Sequence, residues 1–211
     1  MYLNSRLFWL LIFFSIVLIL VYQWGVKKNV SFSRKISKIL EDGLKAKDSQ
    51  YTWLGGVLGF SARYLVDGFK KVEVILRLFP RHSLLYWPIA IALGHKDNLK
   101  ILFYLEDKNK IHSEEFHLIE NNYNISIKQN NQFKEKEIEI KNKRFTLLYK
   151  NNVPQFLNND LIYNEPSFRY IRHIAYTTEK SILYFEFIKI TEMILQDFLS
   201  KFNLFYNINR R

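Results

Sequence analysis

The chain has 211 residues, 48% hydrophobic and 24% charged, a balance that allows a buried core. Its formal net charge of +11 favours anionic partners, either lipid head groups or nucleic acid, although an AT-rich coding bias toward Asn, Ile and Lys would produce the same basicity. It contains no cysteine, which excludes disulfides, a cysteine nucleophile, a thiolate metal site and a lipid-modified N-terminal cysteine.

Residues 7–26 read LFWLLIFFSIVLILVYQWGV, with no charge between Arg6 and Lys27. At about 1.5 Å per residue a helix of this length spans roughly 30 Å, the hydrocarbon thickness of a bilayer. Thirteen of the sixteen residues from Leu7 to Tyr22 are Leu, Ile, Phe or Val. Trp9, Tyr22 and Trp24 sit near the two ends, where amphipathic rings prefer the interface. The exit, Tyr22-Gln23-Trp24, is too bulky for signal-peptide cleavage. The segment lacks the polar stripe of a buried soluble helix. Residues 1–26 are therefore expected to form an uncleaved single-pass transmembrane anchor. Lys27, Lys28, Arg34, Lys35 and Lys38 follow it, against Arg6 before it, so the C-terminal side is expected on the cytoplasmic face.

Residues 27–50 form an expected basic connector. Phe32, Ile36, Ile39, Leu40 and Leu44 fall at helical spacing, and Ser31 or Ser33 can cap the start. Arg34, Lys35, Lys38, Glu41 and Lys45 share the other face. Such a helix either lies on anionic head groups through Lys27, Lys28, Arg34, Lys35 and Lys38, or packs on the domain that follows. Lys45 to Gln50 reads as a polar linker.

From Tyr51 the period changes to that of strands. Residues 58–66 and 70–79 flank Asp67-Gly68, a hairpin signal that rests on positive φ at both turn residues. The apolar run 84–93 contains Pro88, so it is an edge strand or is broken there. Turn residues 94–98 lead to a strand over 99–106, giving a second expected hairpin. Four weaker strands are expected at 114–119, 123–128, 135–141 and 144–150. A loop over 151–167 precedes a strand pair at 168–176 and 181–190, the first of which also fits a helical period. Thr191 can cap a final helix whose stripe is Ile194, Leu195, Phe198, Leu199 and Phe202. The expected fold class is α+β: one transmembrane helix, an amphipathic connector helix, and a mainly antiparallel sheet domain over 51–211 with a C-terminal helix packed on it. About eight strands are expected.

No catalytic pattern emerges from the motifs. Of the five histidines, His82, His95, His112, His117 and His173, none lies in a zinc motif; on a strand, His112 and His117 would point to opposite faces. The turns carrying Arg81-His82-Ser83 and His95 with Asp97 are expected at opposite ends of a strand over 84–93, which argues against a joint Ser/His/Asp site. Gly55-Gly56-Val57-Leu58-Gly59 lacks the Gly-Lys-Ser/Thr and following helix of a phosphate loop, so a bend or close packing is the better reading. Glu135, Glu137 and Glu139 on one strand face mark a solvated surface. The stretch Phe168 to His173 is the nearest approach to interleaved basic and aromatic residues, and it carries no nucleic-acid module signature.

No catalytic residue, cofactor or metal is assigned. The expected partners are the lipid bilayer, anionic head groups or another membrane protein, with nucleic acid disfavoured. The leading expectation is a non-catalytic binding or interaction domain held at a membrane surface. The alternative is a membrane-associated enzyme or small-ligand or lipid carrier with a site built from turns within 51–98.

Overall fold

One unbroken helix, α1 (Ser5–Leu44), carries both the apolar N-terminal stretch and the basic segment after it. The computed structural model describes residues 5–106, 115–123, 133–140, 142–154, 157 and 166–208, with side chains to Phe202. The N-terminal half of α1 is long and apolar enough to cross a membrane, and its most apolar window has none of its residues buried. No proline or internal cap interrupts the helix, so Ser31 and Ser33 lie inside it rather than at a start. In the second half, Gly25, Asn29, Ser33, Ile36, Leu40 and Leu44 form one buried stripe, spaced three or four apart. Of the two readings of the basic segment, it is packing on the domain that the structure displays.

Among the described residues nine strands form one antiparallel sheet in the order β1-β2-β3-β4-β9-β8-β5-β7-β6. The first four are β1 (Asp48–Trp53), β2 (Gly59–Leu65), β3 (Phe69–Arg77) and β4 (Asn98–Leu105). The others are β5 (Phe116–Glu120), β6 (Lys134–Ile140), β7 (Lys143–Tyr149), β8 (Ile171–Thr177) and β9 (Ile182–Ile188). The strands alternate: on β4, Leu99, Ile101, Phe103 and Leu105 are fully buried, and the residues between them are not. The inner face is covered by α1 and by the C-terminal helix α3 (Glu192–Ile208). Ile194, Leu195, Phe198, Leu199 and Phe202 are all buried, as their spacing predicts. Phe202 stacks on Phe103 at 4.1 Å between ring centroids, and Phe198 meets Phe185 and Phe187 edge-on. The class is α+β.

Several expectations change. The segment 84–93 is no strand: a 3-10 turn, Leu84–Tyr86, runs into a short helix, α2 (Trp87–Ala92). Pro88 sits in its first turn, where no amide is needed for a helical bond. The second expected hairpin therefore does not form, and β4 pairs with β3 and β9 instead. Residues 48–50, read as linker, pair as β1 with β2. The strand expected at 168–176 begins at Ile171, after a 3-10 turn over Pro166–Tyr170. In the Asp67-Gly68 turn only Gly68 takes positive φ. The strand expected at 123–128 falls largely outside the described residues, as does His112.

Candidate functional site

The second half of α1 is clasped to the sheet at two places. Near the apolar half, the fully buried Asn29 donates its amide to the carbonyls of Val57 and Phe79, at 3.1 and 3.0 Å. Its oxygen accepts from Arg81 at 3.0 Å. Arg81 in turn forms a two-pronged ion pair with Asp97, which also accepts the Phe79 amide at 2.8 Å. Because β3 and β4 are antiparallel neighbours, the end of one and the start of the other are adjacent. The turns bearing Arg81 and Asp97 therefore meet, against the expectation that a strand would separate them. Gly25 makes this approach possible: a Cβ there would lie 2.3 Å from the Arg81 carbonyl carbon and the His82 nitrogen. One turn earlier, Tyr22 packs edge-on against His82 at 5.9 Å.

Farther along, Glu41 accepts from the Tyr51 hydroxyl at 2.6 Å and from Ser49 at 3.1 Å. Burial and the Glu41 carboxylate push the Tyr51 phenol up to about 12. Between the clasps and just past the second, Ile36, Leu40 and Leu44 bury their side chains, worth roughly 5–9 kcal/mol together as an upper bound. Each neutral hydrogen bond adds only about 0.5–1.5 kcal/mol net. The three bonds to Arg81 and Glu41 have charged partners and are worth about 1.5–3 kcal/mol each, so packing and the polar clasps contribute comparably, and the clasps also set the register.

The outer face of the sheet carries its polar chemistry. Glu186 on β9 is 2% exposed and lies across from Lys100 on β4 and His173 on β8. It accepts from Asn98, from Tyr184 at 2.8 Å and from Tyr123 at 3.1 Å, with the Lys100 ammonium 3.8 Å away. Its oxygens are thereby committed to donors, an arrangement suited to holding neighbours in place rather than to moving protons. Burial and the Glu186 carboxylate push the Tyr184 phenol up, so it remains a donor. His173 contacts the His117 ring at 3.2 Å between nitrogens. Burial holds both imidazoles low, His173 down to about 3, so the pair is neutral at ordinary pH. Sequence reasoning missed this pair, because the two residues are 56 positions apart and meet only through β5 and β8 pairing.

Beside Glu186 a half-open groove of about 690 Å³ runs along the sheet end nearest the Asn29 clasp. Among the described residues its polar wall holds Arg77, Lys96, Lys100 and Arg172 against one carboxylate, the internally bonded Glu186. Arg172 is fixed by its guanidinium 4.4 Å over the Tyr123 ring. The apolar wall holds Leu54, Leu58, Leu78, Pro80 and Ile188. Leu58, Leu78 and Pro80 are chain neighbours of Val57, Phe79 and Arg81, which hold α1. The buried Asn98 Oδ1 in the groove wall has no hydrogen-bond partner among the described residues. The groove can therefore take an anion beside an apolar group and offer an acceptor to a hydroxyl.

The other sequence candidates fall elsewhere. His95 lines the groove but is exposed; His82 lies behind it against Tyr22. Ser83 closes a turn, its amide bonded to the Pro80 carbonyl at 3.1 Å. Gly59 is pressed so tightly on β3 that a Cβ would lie 2.0 Å from the Leu76 oxygen, so this glycine serves packing, while Gly55 and Gly56 take positive φ in the bend before it. Glu135, Glu137 and Glu139 are exposed on the edge strand β6. Phe168, Ile171 and His173 are buried, which leaves that stretch no stacking platform for bases. Lys27, Lys28, Arg34, Lys35 and Lys38 are all exposed along α1; Lys28 covers the Trp24 ring and Lys35 pairs with Glu192 at 2.9 Å. Among the described residues no group of three or more His, Asp or Glu is placed to hold a metal. No protein-family model matches the chain, and no curated protein matches it.

Proposed function

We propose that the chain is a membrane-anchored, non-catalytic binding domain whose groove takes an anionic amphiphile, a phosphate-class head group with an apolar portion. One observation carries this reading. A groove with four cations, one committed carboxylate and an apolar wall lies at the sheet end from which the membrane-length half of α1 departs. A head group presented at a bilayer surface would meet the cations while its first acyl carbons met Leu54, Leu58 and Leu78. In this reading the first half of α1 is the anchor and the domain is cytoplasmic, as the basic residues after it favour. An unbroken helix that crosses a bilayer does not also lie flat on it. Lys27 and Lys28 are thus the head-group contacts, while Lys38 stands about 18 Å beyond Val26 at about 1.5 Å per residue.

The test uses the full-length protein in detergent micelles. Binding of a short-chain phosphatidic acid is compared with that of the phosphatidylcholine of equal chain length and of inorganic phosphate, by native mass spectrometry. The anionic lipid should bind best, inorganic phosphate weakly, and phosphatidylcholine least. Equal retention of the two lipids removes the reading; phosphate binding as tightly as the lipid would make the groove a site for a soluble anion.

A further inference from the structure

Outside α1, eight large apolar side chains are exposed among the described residues, and four of them, Leu85, Ile89, Ile91 and Leu93, lie within one short segment. Their exposures run from 54% to 67%. No charged residue occurs between His82 and His95. Bare apolar surface this dense on a small domain marks an interaction site. The segment is held in place: the Trp87 indole donates to the Pro80 carbonyl at 3.2 Å, and Ala90 is buried.

Its position relative to α1 identifies the partner. The chain just before the segment, Arg81-His82, is the part that backs onto Gly25 and packs on Tyr22. Tyr22 and Gly25 belong to the last turns of the uncharged stretch. The exposed ridge therefore stands beside α1 at the height where its apolar surface ends, and continues that surface sideways through the Tyr22–His82 contact.

We infer that Leu84–Leu93 is a second membrane contact, a short interfacial element whose Leu85, Ile89 and Ile91 enter the boundary between head groups and acyl chains. The inference rests on the reading of α1 as an anchor. A lone spanning helix lets its domain roll about an inclined helix axis; a second contact off that axis selects the roll angle that keeps the ridge at the interface. Lys96, which follows the segment and lines the groove, is then held at head-group level, and the groove mouth faces the lipid surface.

The cysteine-free chain allows single labels to be read without background. Full-length variants Phe13→Cys, Leu85→Cys, Ile89→Cys and Leu65→Cys, each at an exposed position, are labelled with an environment-sensitive fluorophore. They are reconstituted in phosphatidylcholine–phosphatidylglycerol vesicles, with native folding checked by circular dichroism. Labels at 85 and 89 should emit to the blue and be quenched by spin-labelled lipid, as at 13, while the label at 65 is quenched by aqueous iodide alone. Labels at 85 and 89 behaving like 65, with 13 still quenched by lipid, overturn this inference and leave the anchor standing. Labels at 85 and 89 shielded from both quenchers overturn it in favour of a protein partner. A label at 13 open to iodide removes the anchor reading itself.

Discussion

Asn29 and Arg81 stand 52 positions apart, yet the Asn29 carbonyl oxygen accepts a hydrogen bond from the Arg81 guanidinium at 3.0 Å. Through that bond the helix that leaves the domain is tied to the turns bordering the groove. Replacing Asn29 by Leu strands the Val57 carbonyl and one guanidinium N–H in a buried place, while the Phe79 carbonyl keeps the Arg81 amide at 2.8 Å. The expected loss of stability is about 2–4 kcal/mol, given the cost of unmade buried hydrogen bonds. Urea unfolding of the full-length protein in detergent checks this, with Ser15→Ala as the comparison: that hydroxyl only bonds back to the exposed Leu11 carbonyl and should matter little.

Arg81 and Asp97 should behave as one unit. Their side chains are 21% and 17% exposed, so solvent screens the pair only in part. Arg81→Met and Asp97→Asn should each destabilise, and the double variant should cost less than the sum. A coupling energy of about 1–3 kcal/mol from the double-mutant cycle is expected. Strict additivity would show that the pair does no more than surface charges do.

The histidine pair predicts an acid-sensitive fold. His173 is held down to about 3 in the folded protein against its ordinary 6.5, and His117 is lowered too. The unfolded chain takes up these protons first, so the stabilisation is complete above about pH 6.5 and drains away as pH falls toward 3. The slope is at most about 1.4 kcal/mol per pH unit for each proton. His173→Phe should flatten stability between pH 6.5 and 4, measured from urea midpoints. Parallel curves for the two proteins would contradict the assignment.

Groove recognition should separate from folding. Lys100→Met and Arg172→Met each remove one cation from the wall and should weaken binding of the anionic lipid about ten- to a hundredfold, as loss of a charge-assisted contact of about 1.5–3 kcal/mol implies. Lys100→Arg, which keeps the charge, should retain much of it. The ratio of affinities is the readout, since both Met variants can also lose some stability.

The elements with one strong period were legible in the sequence. Val72, Val74 and Leu76 alternate cleanly on β3, and the stripe from Ile194 to Phe202 turns inward as its spacing predicts. The segment 84–93 was not legible, because an apolar run of that length has no period to distinguish strand from helix, and Pro88 breaks a strand but opens a helix. Strand β1 was hidden because DSQYTW is an edge with few buried side chains. The groove was half legible: turns within 51–98 supply Leu54, Leu58, Pro80 and Lys96, but Arg172 and Glu186 arrive from β8 and β9, brought beside β4 by pairings no local pattern encodes.

The unbroken course of α1 carries a mechanical consequence. No hinge separates the half that suits a bilayer from the half locked into the sheet. A spanning helix adapts to a thinner or thicker bilayer by changing its inclination. Here every degree of that inclination would be passed to all nine strands as a lever passes its load, and with Leu84–Leu93 holding one side at the interface the rest of the cationic wall would swing toward or away from the lipid phosphates. Bilayer thickness would then act as a setting on what the groove can reach.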